Sequence, residues 1–328
     1  MNRLTLVELR RLGWRRLVWA VLLMAVGVVA LTLYGVNDMV RMSSAELANA
    51  DRYYQEAVQD WEVNGERYHE ECLQDQERER EATGDDTLDF GCDQMVAPEL
   101  ADFQWGPESL FVQVNELLAQ LVFPMLFLVL LVGATATAAE FGARTIGTWL
   151  TFEPRRDRVF TSKVLAPGLW AVPVSVGYLV LVVAGVSAVF RLHGVDDHIS
   201  NDEWADLAWV GLRSVAVLAL VAAAGAAVGL AVRHTAAVLG IVVGYLVTVE
   251  ILLAQFFPGI ARYSLSNNIL AWVKGGHEWE TWRCPSDGGE CEAISHVVST
   301  TEAGTLLGLV VAATLVVCWL VFRRADVN

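Results

Sequence analysis

Six long apolar runs constrain this sequence more than any other feature. Each run reaches the length of about 20 residues that a helix needs to cross a bilayer. With 55% hydrophobic residues in 328 and a mean hydropathy of +0.42, the chain is predicted to be an all-α integral membrane protein rather than a soluble enzyme. The six predicted transmembrane helices cover residues 17–36, 110–138, 164–190, 207–231, 235–254 and 302–322.

Basic residues are distributed unevenly between the segments that join these spans. One set of segments holds 13 Arg and Lys in 50 positions, and the other set holds 9 in 135. Because short cytoplasmic loops are enriched in Arg and Lys, this predicts a multi-pass protein of the plasma membrane with both termini in the cytoplasm. The basic set comprises residues 1–16, 139–163, 232–234 and 323–328.

The acidic residues lie mainly on the opposite side. The segments predicted to be extracellular carry a net charge of −21, whereas the whole chain carries −15. Two interpretations stay open: a solvated ectodomain, or a field that concentrates cationic molecules near the protein.

The chain begins with an arginine-rich segment, residues 1–16, before the first span. Thr5 and Glu8 have the spacing of a capping box, and the apolar residues that follow predict an amphipathic helix on the inner membrane surface. A cleaved signal peptide is the alternative, but the Ala48-Asn49-Ala50 sequence lies a dozen residues beyond the apolar run. The first span is therefore expected to be retained.

Residues 37–108 form a large acidic insertion between the first two spans. Ser43 and Glu46 form a second capping-box pattern, and apolar residues then recur at intervals of three and four up to Cys72. This predicts a helical ectodomain, with Asn64-Gly65 as a point where the helix could fold into a hairpin. The apolar stripe is interpreted as the core of the insertion or as a dimer seam.

Four of the five cysteines fall in segments predicted to be extracellular: Cys72, Cys92, Cys284 and Cys291. Four thiols in an oxidising space predict two disulfides, and three pairings are possible. Cys284 and Cys291 flank a short turn-rich sequence, which favours Cys284–Cys291 together with Cys72–Cys92. Cys318, in the last span, is expected to stay free.

The segment 139–163 is the most distinctive one in the chain. It is a short, basic stretch punctuated by Gly and Pro between two spans. It resembles the connection between the second and third spans of ABC-2-type permeases, the membrane subunits of a class of ABC exporters. The residues that carry the resemblance, or that lie among them, are Glu140, Gly142, Arg144, Thr145, Gly147, Leu150, Pro154, Arg155, Arg156, Arg158 and Lys163.

The resemblance implies an architecture and a set of partners. Residues 1–16 would be the elbow helix, and residues 141–153 a coupling helix that docks in a separate ABC ATPase subunit. Residues 255–301, an extracellular segment with interfacial helices, would precede the last span. The permease would work as a homodimer or with a similar second permease in membrane lipid, and ATP and Mg would bind to the ATPase.

Polar residues inside the predicted spans form two further candidate sites. Gln113, Glu116 and Gln120 share one helical face, which suggests the polar mouth of a transport path, although these turns could also protrude from the membrane. Arg213 and Glu250 are expected at similar depth in adjacent antiparallel helices. They are predicted to form an intramembrane ion pair, or else to extend separately to the interface.

Three common catalytic motifs are absent from the sequence. It has no Gly-x-x-x-x-Gly-Lys-Ser/Thr loop, no His-Glu-x-x-His pair and no Gly-x-Ser-x-Gly turn. We therefore expect no enzyme activity, catalytic residue, metal or cofactor in this chain, and no nucleic-acid partner. The alternative to the exporter subunit is a non-transporting membrane sensor or immunity protein whose acidic ectodomain binds an external ligand.

Overall fold

In a computed structural model, the protein is mostly helical, and six helical segments are long and apolar enough to cross a membrane. The structure describes residues 3–143, 145–195, 198–253, 256–283 and 291–324. Its helices are α1 (Arg3–Gly13), α2 (Arg16–Thr83), α3 (Leu110–Gln120), α4 (Val122–Gly142), α5 (Thr145–Phe152), α6 (Arg156–Leu192), α7 (Asn201–Val232), α8 (Thr235–Tyr245), α9 (Pro258–Ala261), α10 (Leu265–Lys274) and α11 (Thr300–Arg324), with a π-helical stretch, Leu246–Leu253, directly after α8. The candidate spans lie in α2, α3–α4, α6, α7, α8 with its π-helical extension, and α11, which confirms the predicted six-span pattern.

The chain forms two compact units. The first comprises Met1–Leu33, Leu110–Ser187 and Asp197–Asn328, and the second comprises Tyr34–Ser109 and Ala188–Asp196.

Close packing of α4 against α7 forms the centre of the first unit. Gly133 of α4 faces the backbone of Ala222, and Gly225 of α7 faces the backbone of Leu130, so neither position has room for a Cβ atom. Thr137 adds a side-chain hydrogen bond across the interface, from its Oγ1 to the carbonyl oxygen of Ala226 (2.9 Å). Small residues therefore bring the two helix backbones together, as is common where lipid offers no hydrophobic drive for association.

The second predicted span is interrupted at Leu121, which separates α3 from α4. Pro124 lies three residues further on. Its ring has no N–H to donate to the carbonyl of Gln120 and clashes with that carbonyl in a regular helix. Proline thus accounts for a break that the apolar pattern alone did not show.

A β-hairpin departs from the all-α expectation. Strands β1 (Gly276–Arg283) and β2 (Glu292–Ser299) pair antiparallel, with Gly276 opposite Ser299 and Arg283 opposite Glu292. The sequence predicts interfacial helices in segment 255–301 and gives no sign of a strand there. Of these, α10 is present, capped by the Ser264 hydroxyl, which accepts from Asn267 N (3.1 Å). Burial alternates along β2, but His296 takes one of the less exposed positions and Val297 is 57% exposed, so the sequence shows no period-2 apolar pattern that would predict the strand.

The second unit consists mainly of the later part of α2 and the chain that follows it, together with the end of α6. The helix is continuous through Asn64-Gly65, so the suggested hairpin there is wrong. Ser43 does not cap a new helix, because it lies inside α2 and donates to the carbonyl of Met39 (2.9 Å).

The chain after α2 is fastened to that helix by side-chain contacts. The predicted Cys72–Cys92 disulfide is confirmed, with 5.8 Å between the Cα atoms. Gln76 Oε1 accepts from Phe90 N (2.7 Å), and Arg80 Nε donates to the carbonyl of Leu88 (2.7 Å). These contacts pack residues 88–92 against the last turns of α2 within the second unit. Cys318 is a free, buried thiol, whereas Cys284 and its predicted bond to Cys291 lie outside the described residues.

Candidate functional site

The segment between α4 and α6 contains a short helix, α5, held at its first turn. Ile146 is buried and belongs to an apolar cluster with Val159 and Phe160 of α6 and Phe322 of α11. The hydroxyl of Thr145 donates to the carbonyl of Glu140 (3.3 Å), which joins the start of α5 to the end of α4. At the other end of α5, Phe152 is 84% exposed. The helix is therefore anchored at one end and presents an aromatic side chain at the other.

A buried ion cluster lies under this helix. The Lys163 ammonium at the start of α6 donates to Glu140 Oε2 (2.5 Å) and to Glu8 Oε1 of α1 (3.0 Å). All three side chains are at most 8% exposed. Removing charges from water is costly unless partners compensate them, so these three residues depend on one another. The cluster joins α1, α4 and α6.

Two arginines of the N-terminal segment complete the cluster. Glu140 Oε1 makes no hydrogen bond with the described residues, but it lies 3.4 Å from Arg11 Nη1 and 3.5 Å from Arg15 Nη2. Arg15 also donates to the carbonyl of Thr135 (3.0 Å). Three cations thus surround two carboxylates.

Trp149 connects α5 to the same cluster. The centroid of its ring lies 5.1 Å from Lys163 Nζ and 5.5 Å from Arg11 Cζ, within the range of cation–π attraction. A displacement of α5 is therefore resisted by α1 and α6 through one shared set of charges.

Sequence reasoning placed Glu140 and Lys163 at this site but missed the four residues contributed by the N-terminal segment and α5: Glu8, Arg11, Arg15 and Trp149. The expectation that Glu8 caps a helix beginning at Thr5 is wrong, because α1 already includes Thr5 and the Glu8 carboxylate binds Lys163. One signal was available, since Glu8 is the only acidic residue among the first 16 positions. An isolated carboxylate in a basic amphipathic helix indicates a specific partner.

The basic residues after α5 differ in their surroundings. Arg156 Nη1 donates to the carbonyl of Arg323 (3.0 Å) and lies 3.5 Å from that of Phe322, at the end of α11, where the helix dipole favours a cation. Arg155 is exposed, and Arg158 forms an exposed pair with Glu153 (3.7 Å). Arg155 and Arg158 are thus more accessible than Arg156 to a partner.

The remaining residues of the predicted coupling set are less informative. Gly142, at the end of α4, is exposed, and Gly147 is half-buried in α5; a Cβ atom at either position would meet open space. Pro154 is exposed between α5 and α6. Arg144 lies outside the described residues, as does the side chain of Leu150.

The polar face of α3 contains an ion pair that the sequence did not predict. Glu116 Oε1 accepts from Lys274 Nζ of α10 (2.6 Å), while Gln113 is half-buried and Gln120 exposed on the same helix. Next to this pair, burial and the Lys274 charge hold the pKa of His277 below its usual range, and the Glu116 charge partly opposes them. The pair joins α3 to the segment before the hairpin.

The predicted Arg213–Glu250 ion pair is not formed. Glu250 lies in the π-helical stretch and accepts from Tyr245 Oη and Leu265 N, both at 2.7 Å. It binds the start of α10, where unpaired backbone N–H groups favour a carboxylate. Arg213 lies over the ring of Trp209, 5.9 Å from its centroid. Glu250 is held instead by Tyr245 and by the start of α10.

The cluster under α5 is the only one of these sites that joins several helices through fully buried charges in the part of the chain that the structure describes. No three His, Cys, Asp or Glu side chains are grouped there so as to hold a metal ion. No protein-family model matches the chain, and neither a curated protein nor a solved structure is significantly similar to it. A proposal for its function therefore rests on the residues and their geometry.

Proposed function

We propose that this protein is the transmembrane permease subunit of an ABC exporter. A separate ATPase subunit would bind ATP and Mg, and α5 would receive the motion of that subunit. Both termini and α5 lie in the cytoplasm in this proposal, because the segments that carry them hold most of the Arg and Lys.

The buried cluster of Glu8, Glu140 and Lys163 is the observation that carries the proposal. A coupling element must transmit the motion of the ATPase to the transmembrane helices, so it must be joined to them rigidly rather than through a flexible loop. The α5 helix meets this requirement, because Ile146 and Trp149 tie it to α6, α11 and the ion cluster. Breaking such a cluster would leave a buried charge uncompensated, which makes the connection stiff.

The exposed end of α5 supplies a docking surface for the ATPase. Phe152 offers an aromatic anchor, and Arg155 and Arg158 follow it on exposed positions. Aromatic residues and arginine are the residue types that most often dominate protein–protein binding energy. Arg156 serves instead to fasten α6 to the end of α11.

Two spans support the expectation of a second permease copy. Few of the residues in the span from Thr235 to Leu253, or in α11, are buried within the described part of one chain. Their apolar side chains face lipid or another copy, and we propose that a homodimer covers part of them. The polar face of α3, with Gln113, Glu116 and Gln120, would line the outer mouth of the path between the copies.

The test of the ATPase contact uses the tagged full chain purified from its native membranes. Wild-type protein should co-purify with a P-loop ATPase that shows Mg-dependent hydrolysis. Arg155→Glu should weaken this association about 10- to 100-fold, since a charge-assisted contact is worth about 1.5–3 kcal/mol. Phe152→Asp should weaken it as well, while both variants fold normally because the side chains are exposed.

Arg52→Glu is the matched control, because Arg52 is an exposed arginine in a segment predicted to be extracellular. It should leave the complex intact. Full recovery of the ATPase with both Arg155→Glu and Phe152→Asp would rule out α5 as the coupling element.

One observation favours the alternative of a sensor or immunity protein. Residues 34–109 and 188–196 form a compact unit with a disulfide of its own. A unit of this kind can bind an external ligand without transport. Under this alternative no ATPase would co-purify, and the isolated chain would bind its ligand without nucleotide.

A further inference from the structure

Two adjoining recesses lie beside α1 and α5 in the first unit. One has a volume of about 570 Å³ and is lined by Val7, Arg10, Arg11, Trp14 and Arg15. The other has a volume of about 380 Å³ and is lined by Arg11, Thr145, Trp149 and Phe152. Arg11 lines both recesses, so its guanidinium connects them. Neither the ion cluster nor ATPase docking requires this combination of arginine and exposed indole.

The recesses carry positive charge that the protein does not neutralise. Arg11, Arg15 and Lys163 contact two carboxylates, those of Glu8 and Glu140, which leaves one positive charge in excess, and Arg10 of the first recess adds a second. Lys163 makes the short contacts to both carboxylates, whereas Arg11 and Arg15 lie 3.4–3.5 Å from them. A guanidinium has five N–H donors, so donors remain for an anion. Arg10 is exposed and has no carboxylate partner among the described residues.

The same surface exposes large apolar side chains. Trp14 is 81% exposed, Phe152 84% and Val7 47%. Trp14 immediately precedes Arg15 and the start of α2, which contains the first span. Indole rings are enriched where the headgroups of a bilayer meet its hydrocarbon. A free phosphate would use the arginines but would gain nothing from these rings.

We infer that the recesses bind an anionic phospholipid, with its phosphate at Arg10, Arg11 and Arg15 and its acyl chains beside Val7 and Trp14. Basic pockets next to membrane spans are suited to such headgroups. The ligand would neutralise the excess charge and cover the exposed Trp14 indole. It would also reinforce the cluster under α5 whether or not an ATPase binds there, so this inference does not depend on the proposed function.

The experiment titrates the detergent-solubilised full chain with dioleoylphosphatidylglycerol or dioleoylphosphatidylcholine and measures bound lipid by native mass spectrometry. Wild-type protein should bind the phosphatidylglycerol at least about fivefold more tightly than the phosphatidylcholine, since one basic residue near a membrane surface is worth about 1 kcal/mol. Arg10→Gln should reduce the affinity for phosphatidylglycerol about fivefold and leave the binding of phosphatidylcholine unchanged. Trp14→Ala should weaken both lipids, because it removes an acyl-chain contact.

Arg324→Gln is the control for general surface charge. Arg324 is exposed at the end of α11, which packs beside the first turn of α6, and it lines neither recess. This control should bind both lipids as the wild type does, and thermal unfolding of each variant checks its fold.

Three results would overturn the inference. Equal affinity for the two lipids, or equal losses in Arg10→Gln and Arg324→Gln, would mean that no specific anion site exists. Displacement of phosphatidylglycerol by millimolar inorganic phosphate would identify a site for free phosphate. Loss of ATPase co-purification in Arg10→Gln with unchanged lipid binding would identify a protein-binding surface instead.

Discussion

The two lysines of this chain, Lys163 and Lys274, differ in their burial and in the number of carboxylates that they contact. The side chain of Lys163 is 2% exposed and contacts two carboxylates, whereas that of Lys274 is 28% exposed and contacts one. If a buried cation is removed, water cannot solvate the carboxylates that it leaves behind. If an exposed cation is removed, water can largely take its place beside the carboxylate. We therefore expect Lys163 to contribute more to the stability of the fold than Lys274.

Lys163→Met should destabilise the protein by about 3–5 kcal/mol, because Glu8 and Glu140 would remain buried with one cation fewer. Lys274→Met is the matched control and should cost about 1 kcal/mol or less. Thermal unfolding in detergent, followed by circular dichroism, measures both losses.

The double variant Lys163→Met with Glu140→Gln extends this test, since the two changes remove opposite charges that contact each other. Its loss should be smaller than the sum of the two single losses. Strict additivity, or equal losses at Lys163 and Lys274, would contradict the interpretation of the cluster.

At the scale of elements, α4 and α7 are the pair on which the packing of the first unit depends. Their contact rests on glycines that face backbone atoms of the opposite helix, and backbone cannot move aside as a flexible side chain can. Other glycines in the spans, such as Gly177 of α6, face open space. Glycine in this protein therefore has two different roles that the sequence does not distinguish.

Gly225→Ala should destabilise the protein by about 1–3 kcal/mol, because the added methyl group would meet the carbonyl of Leu130. Gly177→Ala should be neutral or stabilising by up to about 1 kcal/mol, since alanine is the better helix former. The midpoints of thermal unfolding compare the two. A stabilising effect of Gly225→Ala would mean that α4 and α7 do not pack closely in the membrane.

At the scale of the whole molecule, charge is divided between the two sets of connecting segments. The acidic set includes exposed carboxylates near the end of α2, among them Glu79, Glu81 and Asp86. Asp85 differs from these, because hydrogen bonds from Thr87 hold its pKa below the usual range and fix the local turn. Exposed carboxylates without such bonds are available to attract cations in solution.

If this field captures cationic amphiphiles for export, then neutralising Glu79, Glu81 and Asp86 to the corresponding amides should lower cellular resistance to cationic compounds about two- to tenfold. Resistance to neutral compounds should not change. The difference should shrink at high salt, because exposed charges are screened beyond about 8–10 Å.

The control variant keeps the charge, with Glu79→Asp, Glu81→Asp and Asp86→Glu in one chain. It should behave as the wild type. Unchanged resistance to cationic compounds in the neutralised variant would reduce the acidic surface to a contribution to solubility.

The sequence by itself determined the features that depend on local composition and spacing. Six apolar runs predicted six candidate spans, because the length of a run and its hydropathy suffice to identify one. The preference for Cys72–Cys92 followed from pairing the other two cysteines across a short loop, and this disulfide is present. The helix over residues 141–153 was implied by the resemblance of this segment to ABC-2-type permeases, and α5 (Thr145–Phe152) lies within that range.

Only the tertiary structure decided which charges meet. Glu8 binds Lys163 across 155 positions of sequence, and Lys274 binds Glu116 across 158. Glu250 binds the start of α10 rather than Arg213. Such partners depend on how helices rotate and pack, to within a few ångströms, and no periodicity in a single chain encodes those rotations. The ion cluster under α5 therefore became visible only when α1, α4 and α6 were placed together.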